Sequence, residues 1–334
     1  MSHFTVLVIG DNPEKQLAPY RENNTRDCPQ ELLEFHETET EYLKEYEEDA
    51  IERIVMPDGS LISMFDDEFR IDENGFGIGS QTHEVPDHLE KTEIPFKELY
   101  PTFEDFMKDH HGYTKRDDKT GRYGYWENPN AKWDWYELGG RWTGFFKTKP
   151  DCEYSEIGEP GLMGGKAEDG YADQVEKKDI DIEYMRNEAA RKAMEAYDFA
   201  DLLVGHLEKN LTWEMVRGMF NDNMEQVRKF YWEQPRCAVW NAEKEKDLRT
   251  FPLGWDSSPD DFHESREKYI QRAKDGALVT FAVVKDGKWY ERGKMGLWAT
   301  VSSEKNVDEW NAQITKMIDE LPDDTLMSVY DCHI

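Results

Sequence analysis

The chain has 334 residues, and 72 acidic against 41 basic side chains give it a formal charge of −31. A broadly acidic surface repels phosphate groups, which argues against direct binding to nucleic acid or to an anionic membrane. Leu, Ile, Val and Phe make up just under a fifth of the chain, a composition typical of disorder at this charge. However, 11 Trp, 16 Tyr and 13 Met supply further bulky side chains for a core, so we expect a folded protein.

The sequence also indicates a compartment. The apolar run at residues 4–9 lacks the basic leader and the cleavage site of a secretory signal, and it predicts a buried strand instead. No segment reaches the roughly 20 apolar residues that cross a bilayer. No two cysteines are spaced as C-x-x-C. We therefore expect a cytoplasmic protein with free thiols, although a single long-range disulfide stays open.

Two further segments of the N-terminal part have readable patterns. Residues 31–54 predict a helix, with apolar positions such as Tyr42 and Tyr46 on one face and many glutamates on the others. The following Pro57-Asp58-Gly59 predicts the turn of a hairpin.

Residues 101–150 contain twelve aromatic side chains. Three aromatic runs, at 123–126, 132–138 and 141–146, are separated by Asn-Pro-Asn and Gly-Gly. Runs of strand-favouring residues between turn residues predict a three-stranded aromatic meander.

The second half of the chain alternates between helix and strand signals. Apolar residues recur at spacings of three and four in residues 180–233, which predicts amphipathic helix. Asp286-Gly287 between two apolar runs predicts a hairpin over residues 278–291. Asn306 is expected to cap a helix, and residues 325–334 to form a final strand.

These elements predict an α+β fold. A mixed or antiparallel sheet would contain the N- and C-terminal strands, the hairpin and the aromatic meander, with the helices as an insertion or second lobe. The expected organisation is an acidic α+β region with the meander at 1–150, a Gly- and acid-rich linker or loop at 151–179, a helical insertion at 180–235, and a C-terminal α+β region at 236–334 that packs on the first strand.

The histidines give no metal-binding pattern. His110 and His111 are adjacent, so on a helix their side chains would diverge by about 100°. Cys332-His333 beside His3 is the one pairing that a shared sheet could bring together, although ordinary structural histidines are the simpler interpretation. No phosphate-binding loop or nucleophile elbow occurs. We therefore predict no metal, no cofactor and no identifiable catalytic residue, and favour a binding protein over an enzyme.

Two surfaces are candidates for interaction. Residues 1–100 hold 25 acidic against 8 basic side chains, and this field is either a solvated surface or a mimic of nucleic acid aimed at a basic groove. The aromatic meander is either an aromatic core or an exposed platform for a nucleobase or a protein. The residues singled out for interaction are Glu37, Glu41, Glu45, Glu48, Asp49, Asp66, Asp67, Trp133, Trp135 and Arg141.

Four segments resemble a family of phage and prophage proteins. They are the start MSHFTVLVIG, the centre NPNAKWDWYELGGRW, the hairpin FAVVKDGKWY and the end LPDDTLMSVYDCHI. The resemblance spans nearly the whole chain, but its motifs have no assigned chemistry, so it carries over no catalytic residue. It implies a phage protein that counters host defence, such as an inhibitor of the Gabija complex, which is a nuclease assembly.

The leading hypothesis is therefore a phage-encoded acidic protein that binds and inhibits a host defence protein, for example a nuclease complex, in the host cytoplasm. One alternative is an enzyme that processes a nucleotide or another small molecule in a pocket beside the meander. Another is a component of the virion or of its assembly. Association of the chain with copies of itself is left open.

Overall fold

The computed structural model describes residues 2–26, 28–71, 82–83, 85–162, 164–246, 251–254, 257–296 and 300–334. The strands in these ranges are β1 His3–Ile9, β2 Glu34–Glu37, β3 Ala50–Val55, β4 Leu61–Ile62, β5 Arg70–Ile71, β6 Thr82–His83, β7 Glu90–Pro95, β8 Gly124–Glu127, β9 Trp135–Leu138, β10 Phe146–Lys147, β11 Ser155–Glu156, β12 Tyr171–Ala172, β13 Gln174–Glu176, β14 Ala282–Lys285, β15 Lys288–Glu291, β16 Lys294–Met295, β17 Val301–Ser302 and β18 Leu326–His333. The helices are α1 Pro13–Leu17, α2 Glu39–Glu48, α3 Phe96–Leu99, α4 Phe103–Asp109, α5 Ile182–Val204, α6 Trp213–Met219, α7 Met224–Glu233, α8 Pro235–Lys246, α9 Arg266–Asp275 and α10 Val307–Asp319.

The central feature is a mixed sheet of seven strands in the order β11-β13-β18-β1-β14-β15, with β9 also paired to β18. β1 runs antiparallel to β18 and parallel to β14. The α+β prediction is confirmed, as is the expectation that the first strand, the last strand and the Asp286-Gly287 hairpin share one sheet.

Both faces of this sheet are covered by apolar residues. Leu7 and Val329 face one core, in which Trp310 and Ile314 of α10 are buried. Val6 and its neighbours on the other face pack against a second core that includes α1 and Trp133. A strand that is buried on both sides needs a continuous apolar run, which is the pattern that predicted β1 from the sequence.

The prediction of a three-stranded aromatic meander is wrong, because the three strands do not pair with one another but with other parts of the chain. β8 pairs with β2, β9 with β18, and β10 with β12. The Gly139-Gly140 turn does not fold β10 back onto β9. Instead, its backbone lies against the buried carboxylates of Asp173 and Asp331. The long strand β18 offers β9 a complete ladder of hydrogen bonds that a short neighbouring strand cannot match.

The predicted helix over residues 31–54 is also wrong. The segment forms β2, then α2, then β3, with helix only from Glu39 to Glu48. Residues 50–55 include the β-branched residues Ile51, Ile54 and Val55, of which Ile54 is fully buried. Such residues favour strands, but the glutamate-rich helical pattern on their N-terminal side obscured this signal. The hairpin at Pro57-Asp58-Gly59 does form, between β3 and β4.

The chain divides into two compact units. Unit 1 comprises Met1–Glu22 and Asn130–Ile334, and unit 2 comprises Asn23–Pro129. The expected first segment, 1–150, is thus shared between the two units, because β1 belongs to the sheet that β14 and β18 complete. The expected helical insertion lies within unit 1.

Two smaller expectations concern the cysteines and the membrane. The four cysteines Cys28, Cys152, Cys237 and Cys332 are free thiols, as expected. Among the described residues, none of the helices combines the length and the apolar composition that crossing a bilayer requires.

Candidate functional sites

Unit 2 carries most of the charge surplus. Its 107 residues contain 28 acidic and 11 basic side chains, a net charge of −17. The 227 residues of unit 1 carry the remaining −14. Charge per residue in unit 2 is therefore more than twice that in unit 1. The acidic field named from the sequence belongs to one compact body.

The predicted acidic residues occupy different environments within unit 2. Those with exposed side chains are Glu37, Glu41, Glu48 and Asp49. Asp66 is half-buried, and its Oδ1 accepts a hydrogen bond from the backbone N–H of Glu68. Glu45 faces inward toward two histidines. The side chain of Asp67 lies outside the described part of the chain.

Two sheets of unit 2 place glutamates directly opposite each other. Glu52 of β3 pairs in register with Glu93 of β7, and Glu34 of β2 pairs with Glu127 of β8. Like charges at such positions are destabilising. Lys91 lies 3.1 Å from the Glu52 carboxylate and offsets part of that repulsion.

The predicted aromatic platform is split between core and surface. Trp133 is only 5% exposed, and its indole N–H donates to the carbonyl of Leu17. Trp135 is 46% exposed. Arg141 is half-buried, and its backbone N–H donates to Oδ2 of Asp331 at 3.0 Å. Of these three side chains, Trp135 is the one that an incoming molecule can reach over a large area.

Trp135 belongs to a row of rings at one end of the central sheet. His3 of β1 pairs with His333 of β18, which pairs with Trp135 of β9. The two imidazoles meet edge to face, with ring centroids 4.9 Å apart. The expectation that a shared sheet would bring His3 and His333 together is confirmed.

Each of these histidines has a carboxylate partner. Nδ1 of His3 lies 2.8 Å from Oδ1 of Asp331, and Nδ1 of His333 lies 2.6 Å from Oδ1 of Asp134. Asp331 is fully buried. A carboxylate that accepts from Nδ1 fixes the ring and leaves Nε2 available for proton transfer or ligand binding. Nε2 of His333 is buried and has no hydrogen-bond partner among the residues that the structure describes.

A cavity of about 520 Å³ lies beside this row. Its wall includes His3, Thr5, Trp142, Arg292 and Asn311. The cavity therefore combines an oriented imidazole with a guanidinium and an indole. These polar groups share the wall with apolar side chains such as Val279 and Phe281.

A second histidine cluster lies within unit 2. Nε2 of His111 is 3.1 Å from one oxygen of the Glu45 carboxylate, and Nε2 of His110 is 3.9 Å from the other. One ligand atom from each residue can be chosen so that all three lie within 4.8 Å of one another. The divergence of about 100° that a helix would impose does not apply, because α4 ends at Asp109 and both histidines follow it. Burial, and then the neighbouring His111, lower the pKa of His110.

Several apolar side chains are exposed on the helical part of unit 1. Met215 and Met219 lie one turn apart on α6, and Trp232 is on α7. All three are at least two-fifths exposed. Flexible methionines and exposed aromatics of this kind are common in surfaces that bind other proteins.

Comparison with known proteins gives no relative. No protein-family model matches the chain, and no significant match was found among curated proteins or among solved structures.

Proposed function

We propose that this protein is a phage-encoded binding protein that inhibits a host defence protein by docking its acidic unit 2 on a cationic, nucleic-acid-binding surface. The charge of unit 2, −17 in 107 residues, carries the proposal. A surface with this density of negative charge attracts a cationic protein at long range and can occupy a groove that otherwise holds phosphates.

The exposed carboxylates lie on adjoining elements of unit 2. Asp49 joins α2 to β3, β7 pairs with β3 and continues directly into α3, and Lys97 of α3 lies 3.9 Å from Glu47 of α2. The exposed acidic residues on these elements and their junction are Glu41, Glu47, Glu48, Asp49, Glu52, Glu90, Glu93 and Glu98. A cationic partner could therefore contact several of them together.

The facing glutamates support the same proposal. Glu52 opposite Glu93, and Glu34 opposite Glu127, lower the stability of the free protein. A bound cationic side chain would remove that repulsion. Binding would then be favoured both by attraction and by relief of repulsion within unit 2.

The expected class of partner follows from the charge of unit 2 and from the resemblance of the chain to phage and prophage proteins. A protein that binds nucleic acid presents the cationic surface that unit 2 complements. The resemblance to phage and prophage proteins makes a host defence nuclease the expected example. Short-range contacts would come from exposed apolar side chains of unit 2 such as Leu43 and Phe65.

The proposal is tested by affinity capture from host lysate with the full chain as bait. We expect a stoichiometric partner at 50 mM NaCl that is released at 500 mM NaCl, because salt screens charges over about 10 Å at 0.1 M. The captured protein should lose its nucleic-acid binding in the presence of the bait. Failure to recover a stoichiometric partner at low salt would count against the proposal.

Two matched variants distinguish the effect of the acidic surface of unit 2 on partner binding from the effect of overall net charge. The triple variant Glu41→Lys, Glu48→Lys and Glu93→Lys reverses three exposed acids of unit 2. The triple variant Glu208→Lys, Glu233→Lys and Glu245→Lys reverses three exposed acids of unit 1, and it reaches the same net charge. We expect the first to lose the partner and the second to retain it. Equal losses would show that only net charge matters.

The cavity beside His3 favours a second candidate function, which is turnover of a small anionic molecule such as a nucleotide. In this reading His3 is a general base oriented by Asp331, and Arg292 faces the substrate's negative charge. This candidate places the chemistry at the end of the central sheet, next to Trp142 and Trp135.

A panel of nucleotides incubated with the full chain tests the second candidate. We expect His3→Gln to lower any turnover by about 100-fold or more, the usual contribution of a general base. His88→Gln, an exposed histidine of unit 2, should leave it unchanged. Turnover that persists in His3→Gln would exclude this assignment.

A further inference from the structure

We propose that Glu45, His110 and His111 form a binding site for a single Zn²⁺ ion in unit 2. The inference goes beyond the proposed function, since it requires no partner. Two imidazole nitrogens and a carboxylate oxygen are the donor atoms that zinc takes in sites with three protein ligands, and the fourth position is then left to water.

The separations of the donor atoms suit this ion. Zinc bonds to nitrogen and oxygen of about 2.0–2.1 Å in a tetrahedron place neighbouring ligand atoms about 3.3 Å apart. The two distances from Glu45 oxygens to histidine Nε2 atoms are 3.1 Å and 3.9 Å, on either side of that value. One donor atom from each residue lies within 4.8 Å of the other two, so side-chain shifts of up to about 1.5 Å would complete the coordination.

The aromatic neighbours hold both imidazoles in position. Tyr42, one turn before Glu45 on α2, stacks on His111 with ring centroids 3.7 Å apart. Phe106 is fully buried; it stacks on His110 and meets His111 edge to face. Phe96 also packs against His110, with ring centroids 4.9 Å apart. The ligands are thus oriented before any ion arrives, which favours binding.

A hydrogen bond to Glu45 explains the position of His111 but not that of His110. The His111–Glu45 contact at 3.1 Å is an ordinary hydrogen bond. His110, however, directs Nε2 toward the other carboxylate oxygen at 3.9 Å, which is too long for one. A cation between the three groups gives both imidazoles the same partner and explains why both turn to one carboxylate.

Calorimetric titration of the EDTA-treated full chain with ZnCl₂ tests the site. We expect one ion per chain, together with a rise in Tm, because a ligand that binds only the folded state stabilises it. Glu45→Gln, His110→Gln and His111→Gln should each weaken Zn²⁺ binding by more than about 100-fold, because loss of outer partners alone costs about 10–100-fold. Co²⁺ in place of Zn²⁺ should give the visible absorption of a four-coordinate ion.

Two variants serve as controls. His333→Gln removes half of the histidine pair in unit 1, and His88→Gln removes an exposed histidine of unit 2; both should bind Zn²⁺ as the parent does. Binding that disappears in His333→Gln, or that survives in Glu45→Gln, would overturn the proposal, as would absence of binding by the parent chain. Glu45→Gln is nearly isosteric and decides the test if a histidine variant fails to fold.

Discussion

Gly140 lies in the turn that follows β9, where the backbone approaches a buried carboxylate very closely. Its φ is +55°, and a Cβ atom built there would lie 2.4 Å from the Cβ of Asp331. Asp331 is fully buried and is held by His3 and by the backbone N–H of Arg141, so it cannot move aside. Only glycine satisfies both the backbone conformation and the contact.

We expect Gly140→Ala to lower the free energy of unfolding by about 2–4 kcal/mol, from the left-handed conformation and the overlap together. Gly287→Ala is the matched control, since Gly287 has φ +69° but no atom within 4 Å of its built Cβ. That variant should cost only about 1–2 kcal/mol. Urea unfolding measures both, and equal losses would mean that the contact with Asp331 is unimportant.

Glu39 is an acidic residue of unit 2 whose carboxylate accepts hydrogen bonds from two distant residues, Arg116 and Tyr123. Burial alone would raise the pKa of its carboxyl, but the hydrogen bonds from Arg116 and from the backbone of Tyr123 outweigh that effect and lower it. Its two oxygens lie 3.1 Å from Arg116 Nη2 and 3.1 Å from the Tyr123 backbone N–H. Because the folded-state pKa lies below the unfolded value of 4.5, the ionised carboxylate stabilises the folded state above that pH.

Glu39→Gln should therefore destabilise the protein by about 1–2 kcal/mol at pH 7. The penalty should shrink as pH falls through the lowered pKa of Glu39, because the carboxyl of the parent is then protonated as well. Urea midpoints measured between pH 7 and pH 3.5 check this, with Glu98→Gln on the exposed side of α3 as the control. A penalty independent of pH would show that charge is not what Glu39 contributes.

Among the secondary-structure elements, the strand pair β3–β7 carries a repulsion between facing carboxylates that lowers its stability. The exposed side chains of Glu52 and Glu93 face each other, and Lys91 lies 3.1 Å from Glu52. The ladder is held instead by its backbone hydrogen bonds and by Ile54, which is fully buried. The facing carboxylates are thus a property of the surface and not of the core.

We expect Glu93→Lys to raise the free energy of unfolding by about 0.5–1 kcal/mol, because it exchanges a facing repulsion for an attraction. Glu90→Lys makes the same charge change in the same strand opposite Val55, and it should have a smaller effect. The difference between the two urea midpoints is the measurement. If both variants gain equally, relief of the overall charge is the cause and the pair itself contributes nothing.

At the scale of the whole molecule, the charge of −31 makes the folded state repel itself. We expect Tm to rise as NaCl increases from 20 to 300 mM, since added salt screens this repulsion. The triple variant Glu41→Lys, Glu48→Lys and Glu93→Lys should show a smaller rise. KCl in place of NaCl should give the same curve, whereas a Tm that falls with salt would indicate that favourable ion pairs dominate.

The central sheet and the candidate sites differ in how far the sequence predicted them. The strands β1 and β14 follow from continuous apolar runs, and a final strand was expected at residues 325–334. Helix α10 follows from its apolar stripe and the cap at Asn306, whose Oδ1 accepts from the backbone N–H of Asp308 at 2.9 Å. The β-branched residues Ile51, Ile54 and Val55 also favour a strand, but the glutamate-rich helical pattern before them obscured this signal. By contrast, the adjacent histidines His110 and His111 did not predict a shared site with Glu45. Whether their side chains turn to one carboxylate depends on where α4 ends.

The sequence by itself determined the α+β class, the shared sheet of the chain ends and the excess of negative charge, because periodicity and composition are local or additive properties. Only the tertiary structure decided that β8, β9 and β10 take distant partners, that the acidic surplus concentrates in unit 2, and that Glu45 faces two histidines. Strand pairing and side-chain convergence depend on residues far apart in the chain. Contacts between such residues contribute free energy only when the packed core brings them together, so no local sequence pattern predicts them.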